Sequence, residues 1–481
     1  GHRSAPTVDV TRLCENFDPM RGAISRCFAI LGCAVGLSLL GAAPAVAATT
    51  FTPNTFGDPA GATHCTPPLP AEGCSLRGAI ADAQTGDTVQ LTAGTYRLGA
   101  PGRLEVLKKI TIVGAGPAQT TIEQTVADRV MRVEDGLKMS GVTITGGELF
   151  GQPGSVGSVP SGDGGDGGGV DGAGIEAGGL VTLTDVVVTG NRAVGGQGGA
   201  GGGASGNGTG GKGGRGGFAD GAGISGGPLV LTRVAVTGNV AQSGAGGAGG
   251  FGTGAGNGGV GGIGGAGGGA GISVGQRSVT AIDTLIADNI AATGPAGTGG
   301  LGGAGGGDGG AGGQGEASDG GGIFSNGPVN LTNVTLTGNV AEGGPGGTAG
   351  APFNTPGSKG GAGGNGYGGS GGAIALFNGA SGKFASVTIA GNTTTAGSAG
   401  VGGKFIGGEI SGASGSVTGG EGGNIRVYNS TLTLRDTIVA AGTAKAGAED
   451  CVIGGGGKVT STGHNLEEHH QCIATPAAGD L

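Results

Sequence analysis

The segment near the C-terminus holds the densest group of possible metal ligands in the chain. His464, Glu467, Glu468, His469 and His470 lie within residues 464–470. Imidazole nitrogens and carboxylate oxygens are common zinc ligands. His469 and His470 are adjacent, however, and adjacent side chains of an extended segment point in opposite directions. A shared site would need a turn, and we therefore expect no bound metal in this segment.

A second group of carboxylates lies in a glycine-rich stretch. Asp163, Asp166 and Asp171 occur in the sequence Gly-Asp-Gly-Gly-Asp-Gly-Gly-Gly-Val-Asp. Calcium-binding repeats rich in Gly and Asp have a strict nine-residue period with a fixed apolar position. The spacing here is irregular and the apolar position is missing. We expect a solvated loop and no cofactor, with a Ca²⁺ site as the alternative.

A third group of carboxylates recurs at one position of a repeat. Asp185, Asp283 and Asp436 occupy this position, but other polar residues, such as Arg233, fill it in other repeats. Acid–base catalysis or Ca²⁺ binding would need a constant set of carboxylates along one face. A variable polar residue is typical of a bend, where Asp and Asn tolerate unusual backbone conformations. We therefore predict bend residues here and assign no catalytic residue.

These groups must be positioned by a repeat of about 50 residues that begins near residue 172. Its first marker is an isoleucine that follows a short run of small residues: Ile175, Ile224, Ile272, Ile323, Ile374 and Ile425. Its second marker is an asparagine that follows in the same repeat: Asn191, Asn239, Asn289, Asn339 and Asn392. Self-similarity at a fixed period is the signature of stacked repeats.

Apolar residues precede each marker asparagine at −8, −5 and −3, and the polar bend lies at −6. A period of two on each side of the bend, with many Val and Thr residues, predicts two short strands. The same frame fits eight rungs: Leu107/Ile110/Ile112, Met139/Val142/Ile144, Leu183/Val186/Val188, Leu231/Val234/Val236, Ala281/Thr284/Ile286, Leu331/Val334/Leu336, Phe384/Val387/Ile389 and Leu434/Thr437/Val439. Each rung is predicted to be one coil of a parallel β-helix, which buries its inner face by stacking on its neighbours.

The five marker asparagines are predicted to stack as a ladder at one bend of the coils. Asn tolerates left-handed backbone, and its amide can hydrogen-bond to the Asn residues above and below it. We expect the ladder Asn191, Asn239, Asn289, Asn339 and Asn392 to be structural rather than a ligand site.

Glycine accounts for 129 of the 481 residues. Most of the excess lies in five inserts, at about 195–219, 244–269, 293–320, 344–370 and 396–421. Their Gly-Gly-X pattern favours an extended backbone with three residues per turn, although almost no Pro is present to fix it. Two interpretations fit: the inserts either pack side by side as threefold helices joined by backbone hydrogen bonds, or form five flexible loops.

The charge and the glycine pattern exclude two classes of ligand. The net charge is −9, and no Lys/Arg-rich stripe is interleaved with aromatic residues, so nucleic acid is not an expected partner. No glycine run opens a helix after a strand with a following Lys-Ser/Thr, so no phosphate-binding loop is expected.

The N-terminal segment has the pattern of an export signal. A charged flank at 20–26 precedes an apolar run over 27–40 and the small-residue site Ala45-Val46-Ala47. This pattern predicts a signal peptide over 20–47, and the apolar run is shorter than the roughly 20 residues of a transmembrane helix. Residues 1–19 are interpreted as an upstream extension from a mis-assigned start. We expect a secreted or cell-surface protein that is monomeric and has no transmembrane helix after cleavage.

Four cysteines follow the predicted signal peptide: Cys65, Cys74, Cys451 and Cys472. An even number of cysteines outside the cytosol favours disulfide bonds. Three pairings are possible. The local one, Cys65–Cys74 with Cys451–Cys472, closes the shortest loops and places one disulfide at each end of the mature chain.

Residues 74–84 read Cys-Ser-Leu-Arg-Gly-Ala-Ile-Ala-Asp-Ala-Gln, and their apolar side chains have the spacing of one helical face. This stretch resembles the CSLREAI-type domain of bacterial secreted and surface proteins, with Gly78 where that family usually has Glu. Gly-Gly-Gly-Ile-Phe-Ser-Asn at 320–326 looks like the repeats of polymorphic outer-membrane-type proteins. Cys451, Ser461–Leu466 and Cys472 are similar to the closing segment of the same family, which usually continues beyond a Gly-Asp-Leu such as residues 479–481. The glycine inserts look like those of mycobacterial glycine-rich surface proteins in composition.

The resemblance implies an all-β fold, a right-handed parallel β-helix of the pectin-lyase-like type. We expect a short capping helix at its N-terminal end and glycine-rich loops along one edge. The predicted organisation is a cap with the first coils over 48–150, coils with inserts over 151–447, and a closing coil over 448–481. Because the resembled family usually continues beyond this point, the resemblance is compatible with a sequence truncated at its C-terminus.

A repeated face with little charge suits multivalent contact with carbohydrate or with the surface of a neighbouring cell. We therefore expect a structural or adhesive protein without catalytic activity. The alternative is a polysaccharide lyase or hydrolase, because the pectin-lyase-like fold hosts such enzymes.

Overall fold

The computed structural model describes residues 48–59, 64–67, 69, 73–353, 357–404, 412–445 and 447–481. The predicted signal peptide and the upstream extension lie outside these residues. The named strands of the described chain pair in parallel from coil to coil, and a single short helix accompanies them. The prediction of a parallel β-helix is therefore confirmed. Within the described residues, no helix has the length and apolar character needed to cross a membrane.

Each regular coil contributes strands to three faces. The first face is a sheet of 17 strands, which we call the bent sheet: Thr50–Phe51, Thr88–Gln90, Gly94–Leu98, Ile110–Val113, Thr120–Gln124, Gly136–Thr145, Leu180–Thr189, Leu229–Thr232, Ala235–Thr237, Val279–Ala287, Pro328–Thr337, Ser381–Ala385, Thr388–Ala390, Thr431–Arg435, Ile438–Ala440, Lys458–Ser461 and Leu466–Glu467.

The second face, the isoleucine sheet, has nine strands, and the marker isoleucines begin six of them: Leu104–Val106, Met131–Val133, Ile175–Ala177, Ile224–Gly226, Ile272–Val274, Ile323–Ser325, Ile374–Leu376, Ile425–Tyr428 and Cys451–Gly454. The third face, which we call the exit sheet, has seven strands: Glu148–Phe150, Arg192–Val194, Val240–Gln242, Ile290–Ala292, Val340–Glu342, Thr393–Thr395 and Thr443–Ala444.

Two further sheets lie where the glycine inserts rejoin the coils. One has four strands, Val170–Asp171, Ala219–Asp220, Gly267–Gly268 and Ser318–Asp319, and the other has two, Gly366–Tyr367 and Val417–Thr418.

The bend in the bent sheet lies at the predicted polar position. The residues there have left-handed backbone, with φ of +53° at Asp185, +52° at Arg233 and +57° at Ser386. The apolar residues on both sides of the bend are buried in one continuous core. The earliest rung was placed in the wrong frame: Leu107 is 60% exposed, and Ile112 pairs with Met139, so Ile112 holds the −8 position. This stretch precedes the asparagine marker, so nothing in the sequence anchored its register.

The N-terminal end of the core is covered by the short helix Leu76–Asp82. Ser75 caps it, since the Ser75 hydroxyl accepts a hydrogen bond from the Gly78 N–H at 3.0 Å. The apolar face predicted for this helix is buried. The structure also contains the local disulfides Cys65–Cys74 and Cys451–Cys472, one at each end of the described chain.

The asparagine ladder is present and is longer than the sequence predicted. The five marker residues are fully buried, and each side-chain amide donates to the Asn of the following coil at 2.9–3.0 Å. Asn392 continues the chain by donating to Asn424 at 2.9 Å, and Asn424 donates to Asp450 at 2.7 Å. The left-handed residue at this corner is the one before each Asn, with φ of +65° at Gly190 and +56° at Asp288. The Asn residues themselves therefore serve the ladder through their side chains.

The glycine inserts form an ordered bundle that projects from one edge of the coils. Each insert leaves the exit sheet in an outgoing segment and comes back in a returning segment. The outgoing segments are about 151–159, 195–203, 243–251, 293–301, 343–351 and 396–404, and the returning segments are about 162–168, 211–217, 259–265, 310–316, 361–367 and 412–418. Within one layer, every third residue of a segment donates a backbone hydrogen bond to the neighbouring segment, as Gly195, Gly198 and Gly201 do. This period identifies an extended backbone with three residues per turn.

Backbone hydrogen bonds join these segments into two layers. Within the outgoing layer, the Gly198 N–H donates to the Ala245 carbonyl at 2.8 Å. Between the layers, Gly214 donates to Gly199 and Gly247 donates to Gly214, both at 2.8 Å. Two of every three N–H groups along a segment, such as Gly198 and Gly199, thus find carbonyl partners inside the bundle, and the packed interpretation holds rather than the flexible one.

Close approach of the backbones explains the glycines. A Cβ atom on Gly199 would lie 1.9 Å from the Ser155 carbonyl oxygen, and one on Gly247 would lie 2.0 Å from the Gly199 oxygen. Two of every three positions therefore exclude a side chain, and the third position carries its side chain outward.

Within the described residues the bundle has six pairs of outgoing and returning segments rather than the five predicted, because the stretch around Asp163 and Asp166 belongs to the first pair. These carboxylates accept hydrogen bonds from the Lys212 and Arg215 N–H groups, both at 2.8 Å. They are exposed to solvent, and they cap outward N–H groups of the next returning segment.

Candidate functional site

An acidic column runs along the line where the returning segments rejoin the coils. Asp171, Asp220, Asp319 and Glu421 each lie four residues before a marker isoleucine, and Gly268 and Ser370 complete the column. Parallel pairing places these residues in register, one per coil. Four of the six positions in this column are acidic, whereas the residue at the bend varies among Asp, Arg, Asn and Ser. The sequence does contain a signal for this column, the recurring motif Asp-Gly-X-Gly-Ile, whose isoleucine is the first marker of the repeat.

An arginine lies at each end of this column. Arg129 forms an ion pair with Glu176 and lies 3.8 Å from an Asp171 carboxylate oxygen. Arg426 Nη1 lies 3.4 Å from Glu421 Oε2. The Nε atoms of both arginines are buried, and no hydrogen-bond partner for either is present among the described residues. Each guanidinium therefore keeps unused donor capacity beside the carboxylates.

The carboxylates in the middle of the column are protonated more readily than ordinary ones. Asp220 accepts the Gly268 N–H at 2.7 Å, and Asp319 accepts the Ser370 hydroxyl. Burial raises the pKa of Asp220 to about 7, because an anion is costly to desolvate. Burial also raises the pKa of Asp319. Near neutral pH the Asp220 carboxyl can therefore both donate and accept hydrogen bonds.

Aromatic side chains of the isoleucine sheet lie beside the column. The rings of Phe324, Phe377 and Tyr428 form a stack, with 5.7 Å between the centroids of each neighbouring pair. The Arg426 guanidinium lies 5.5 Å from the centroid of the Tyr428 ring. The three rings come from adjacent coils. Phe324 follows its marker isoleucine by one residue, whereas Phe377 and Tyr428 follow theirs by three, so the sequence shows no regular aromatic period.

Two neighbouring open cavities lie along the column and the aromatic residues, and together we call them the acidic groove. The larger has a volume of about 310 Å³ and is lined by Asp319, Tyr367, Phe377, Glu421 and Arg426 among others. The smaller has a volume of about 160 Å³ and lies between Asp220 and Asp319 at Gly268. Asp319 lines both cavities and marks where they adjoin. The groove offers carboxyl groups, a guanidinium and aromatic faces to a ligand.

The C-terminal group of possible metal ligands comes together only in part. Glu467 is buried and accepts the Ile473 N–H at 2.9 Å, and His464 and His470 have left-handed backbone and exposed side chains. Glu468 and His469 do approach each other, together with Asp450, which the sequence did not single out: one ligand atom from each lies within 4.8 Å of the others.

The His469 ring already connects two carboxylates. Its Nδ1 lies 2.8 Å from Asp450 Oδ2, and its Nε2 lies 2.9 Å from Glu449 Oε2. The hydrogen bond with Asp450 raises the pKa of His469. The imidazole thus occupies the place between these carboxylates that a cation would take.

Comparisons with known proteins find only distant structural similarity. No protein-family model matches it, and no curated protein matches it. Among solved structures, the ORF18 protein of Geobacillus virus E2 is 8% identical with a TM-score of 0.24, and the match covers 84% of this chain and 55% of that one. The A-module of a mannuronan C-5 epimerase from Azotobacter vinelandii is 13% identical with a TM-score of 0.21, covering 82% and 91%. A mannuronic-acid-specific polysaccharide family 6 lyase from human gut microbiota is 10% identical with a TM-score of 0.22, covering 90% and 82%.

Identities and TM-scores this low leave the description of the site to the chain's own residues. Those residues define a parallel β-helix with a two-layered glycine bundle and an acidic groove at the junction of the two.

Proposed function

We propose that the chain is an exported β-helix protein that contacts carbohydrate through the acidic groove without catalysing a reaction. The observation that carries this proposal is the combination of an aromatic stack with polar groups along one groove. Aromatic faces pack against the C–H faces of sugar rings, and carboxyl and guanidinium groups hydrogen-bond to hydroxyls. A cavity of about 310 Å³ is large enough to enclose a small ligand or part of a polymer.

The charge of the groove favours a neutral sugar over a uronate. Asp319 and Glu421 line it, and Asp220 lies next along the column. A carboxylate on the ligand would be repelled by these acidic groups, whereas ligand hydroxyls can donate to the carboxyl oxygens and accept from Arg426.

Binding of neutral and uronate oligosaccharides to the purified chain tests this proposal, first on a glycan array and then by calorimetry. Removing the Phe377 ring or the Arg426 guanidinium, both of which line the larger cavity (F377A, R426A), should weaken binding of a neutral oligosaccharide about tenfold, the effect of roughly 1.4 kcal/mol. Lys383→Ala, an exposed change on the bent sheet, is the matched control and should leave affinity unchanged. A preference for uronates, or equal binding by F377A and the unchanged chain, would contradict the proposal.

A second candidate is a polysaccharide hydrolase or lyase of the same fold. Asp220 and Asp319 are two coils apart, which corresponds to about 9.5 Å between backbones and lies at the upper end of the carboxyl separations of inverting glycosidases. The raised pKa of Asp319 would suit a general acid. Release of reducing or unsaturated ends from a panel of glucans and pectins, lost in D319N but not in K383A, would favour this enzyme over the binding protein.

Export is part of the proposal and rests on the signal-like N-terminal segment and the resemblance to CSLREAI-type surface proteins. Fractionation of cells that produce the native protein should find it in the medium or at the cell surface. A soluble cytosolic pool would end the surface hypothesis.

A further inference from the structure

The outer face of the outgoing layer is flat, apolar and exposed. Its side chains come from every third residue of six parallel segments. The large apolar ones among them are Val156, Val159, Phe251, Leu301 and Val401, and Phe150 lies at the base of the first segment. Val156 is 72% exposed, Leu301 58% and Phe251 55%. An apolar patch of this extent on an ordered surface usually marks an interaction site.

The outer face of the returning layer has a different character. It also exposes apolar side chains, such as Val260, but charged side chains such as Asp166, Lys212, Arg215 and Asp308 lie among them. Several of these acidic groups cap backbone N–H groups of the neighbouring segment. The two layers have the same backbone arrangement. The backbone therefore does not account for the difference in side chains between the two outer faces.

The size of the apolar face fits a protein partner. Nine residues of threefold backbone span about 28 Å, at roughly 3.1 Å per residue. Six segments stacked with the coils span about 29 Å, at roughly 4.8 Å per coil. The face therefore measures roughly 800 Å², which is about what one partner buries in a stable protein interface.

Glu342 and Lys404 carry opposite charges near opposite ends of this face. Glu342 immediately precedes the fifth outgoing segment, and Lys404 ends the sixth. A twofold axis parallel to the stacking direction of the coils would lay the base of each segment over the tip of the same segment in a second copy. Glu342 would then be displaced from Lys404 of the second copy by one coil spacing, roughly 4.8 Å, along the stacking direction and by the roughly 10 Å between packed faces. The two long side chains can bridge this separation, and the symmetry would give the pair twice.

We propose that the apolar face of the outgoing layer is a homodimer interface, in which two copies pack face to face about this axis. Flat faces are complementary to themselves under twofold rotation. Burial of Phe251 and Leu301 removes apolar area from water, and the Glu342–Lys404 pairs fix the register. The dimer is independent of the acidic groove, which lies at the other layer's junction with the coils.

The test is the molar mass of the purified full chain, measured by light scattering and sedimentation at micromolar concentration. The unchanged chain should be a dimer. L301D and F251D should each raise the dimer dissociation constant by more than about tenfold, because a carboxylate would be buried in the interface. Val260→Asp, on the outer face of the returning layer, is the matched control and should remain dimeric.

Charge reversal tests the register separately. E342K should weaken the dimer by placing two lysines together, and E342K/K404E should restore it. Circular dichroism of each variant shows whether it is folded. A monomeric unchanged chain at micromolar concentration would overturn the proposal, as would equal loss of the dimer in V260D and L301D. A monomer that sediments with phosphatidylcholine vesicles would assign the face to lipid and would also overturn it.

Discussion

The carboxylate of Asp450 ends the asparagine ladder, and its Oδ2 lies 2.8 Å from Nδ1 of His469. Every amide in the ladder donates in the same direction, from one coil to the next, so the last amide needs an acceptor. Asp450 is fully buried and provides it, accepting from the Asn424 side chain and from the Gly442 N–H at 3.1 Å. A buried anion needs a compensating charge, and His469 supplies it from the closing coil.

This pairing predicts that the closing coil loosens as pH rises. The hydrogen bond with Asp450 raises the pKa of His469, so its stabilising contribution is complete below about 6.5, the pKa of an unfolded His, and is lost as pH rises through the folded value. The protection of amides over residues 447–481, expressed relative to the intrinsic exchange rate at each pH, should therefore fall as pH rises above about 6.5. His469→Ala should have low protection at every pH, whereas His470→Ala, at the exposed neighbour, should keep the pH dependence.

The middle of the ladder is predicted to be sensitive to loss of a single side chain. Asn289→Ala would leave the Asn239 backbone N–H without its acceptor, at 3.1 Å, and would remove one of the acceptors of the Asn239 side-chain amide, which keeps the Val188 and Thr237 carbonyls. An orphaned buried donor costs about 1–3 kcal/mol, so we expect a loss of about that size in the free energy of unfolding. Asn330→Ala, on the outer side of the same β-helix, should change it by less than about 0.5 kcal/mol. Urea denaturation compares the two, and equal midpoints would show that the ladder contributes little.

Adjacent residues of the bundle should differ sharply in their tolerance of substitution. Gly247→Ala places a methyl group 2.0 Å from the Gly199 carbonyl oxygen, so the layers must separate locally. Because an overpacked site costs at least roughly 1–3 kcal/mol in the free energy of unfolding, we expect a lower melting temperature. We also expect faster amide exchange in the flanking segments. Ala248→Val points outward and should leave both unchanged. If G247A exchanged as slowly as the parent chain, the close packing of the layers would be refuted.

The buried carboxyl of Asp220 predicts a second effect of pH. Its pKa is about 7 in the folded chain and near 3.9 in the unfolded one, so the folded chain binds the proton more tightly. The resulting stabilisation is complete below about pH 4 and declines as pH rises through about 7.

We therefore expect a melting temperature a few degrees higher at about pH 5 than at about pH 8. Asp220→Asn keeps an acceptor for the Gly268 N–H and should be less dependent on pH and more stable at about pH 8. The pKa values of Asp319 and His469 are also raised, so the melting temperature of D220N should still fall with rising pH, but less steeply. A dependence as steep in D220N as in the parent chain would mean that Asp220 does not retain its proton on folding.

The β-helix could be predicted because its constraints are periodic along the sequence. Alternation around a bend recurs with the same residue types, and the core follows from it directly. The ladder was also visible, but Asn424 and Asp450 were not, since they come from other positions of the repeat and reach the ladder only through the shape of the last coils. The stretch before the asparagine marker had no such anchor, and Leu107 was accordingly placed inside instead of outside.

The acidic groove could not be read in the same way because it depends on the path of the inserts. Asp220 and Asp319 are 99 positions apart in the chain and come within two coils of each other only when the coils are stacked. The sequence contained Asp-Gly before several marker isoleucines, yet burial by the returning segments, which raises the carboxyl pKa values, became clear only from the ordered bundle. The order of the bundle itself was undecided, because Gly-Gly-X suits both a packed and a mobile chain.

The two-layered bundle also changes how the molecule should respond to force. A plain solenoid pulled along its axis can part between any two coils by breaking the bonds of that one junction. In the coils that carry glycine segments each junction is doubled, since neighbouring coils are joined both by their sheets and by the hydrogen bonds between those segments. The bundle therefore splints one edge of these coils, and tension along the axis must break both sets of hydrogen bonds to part any one junction.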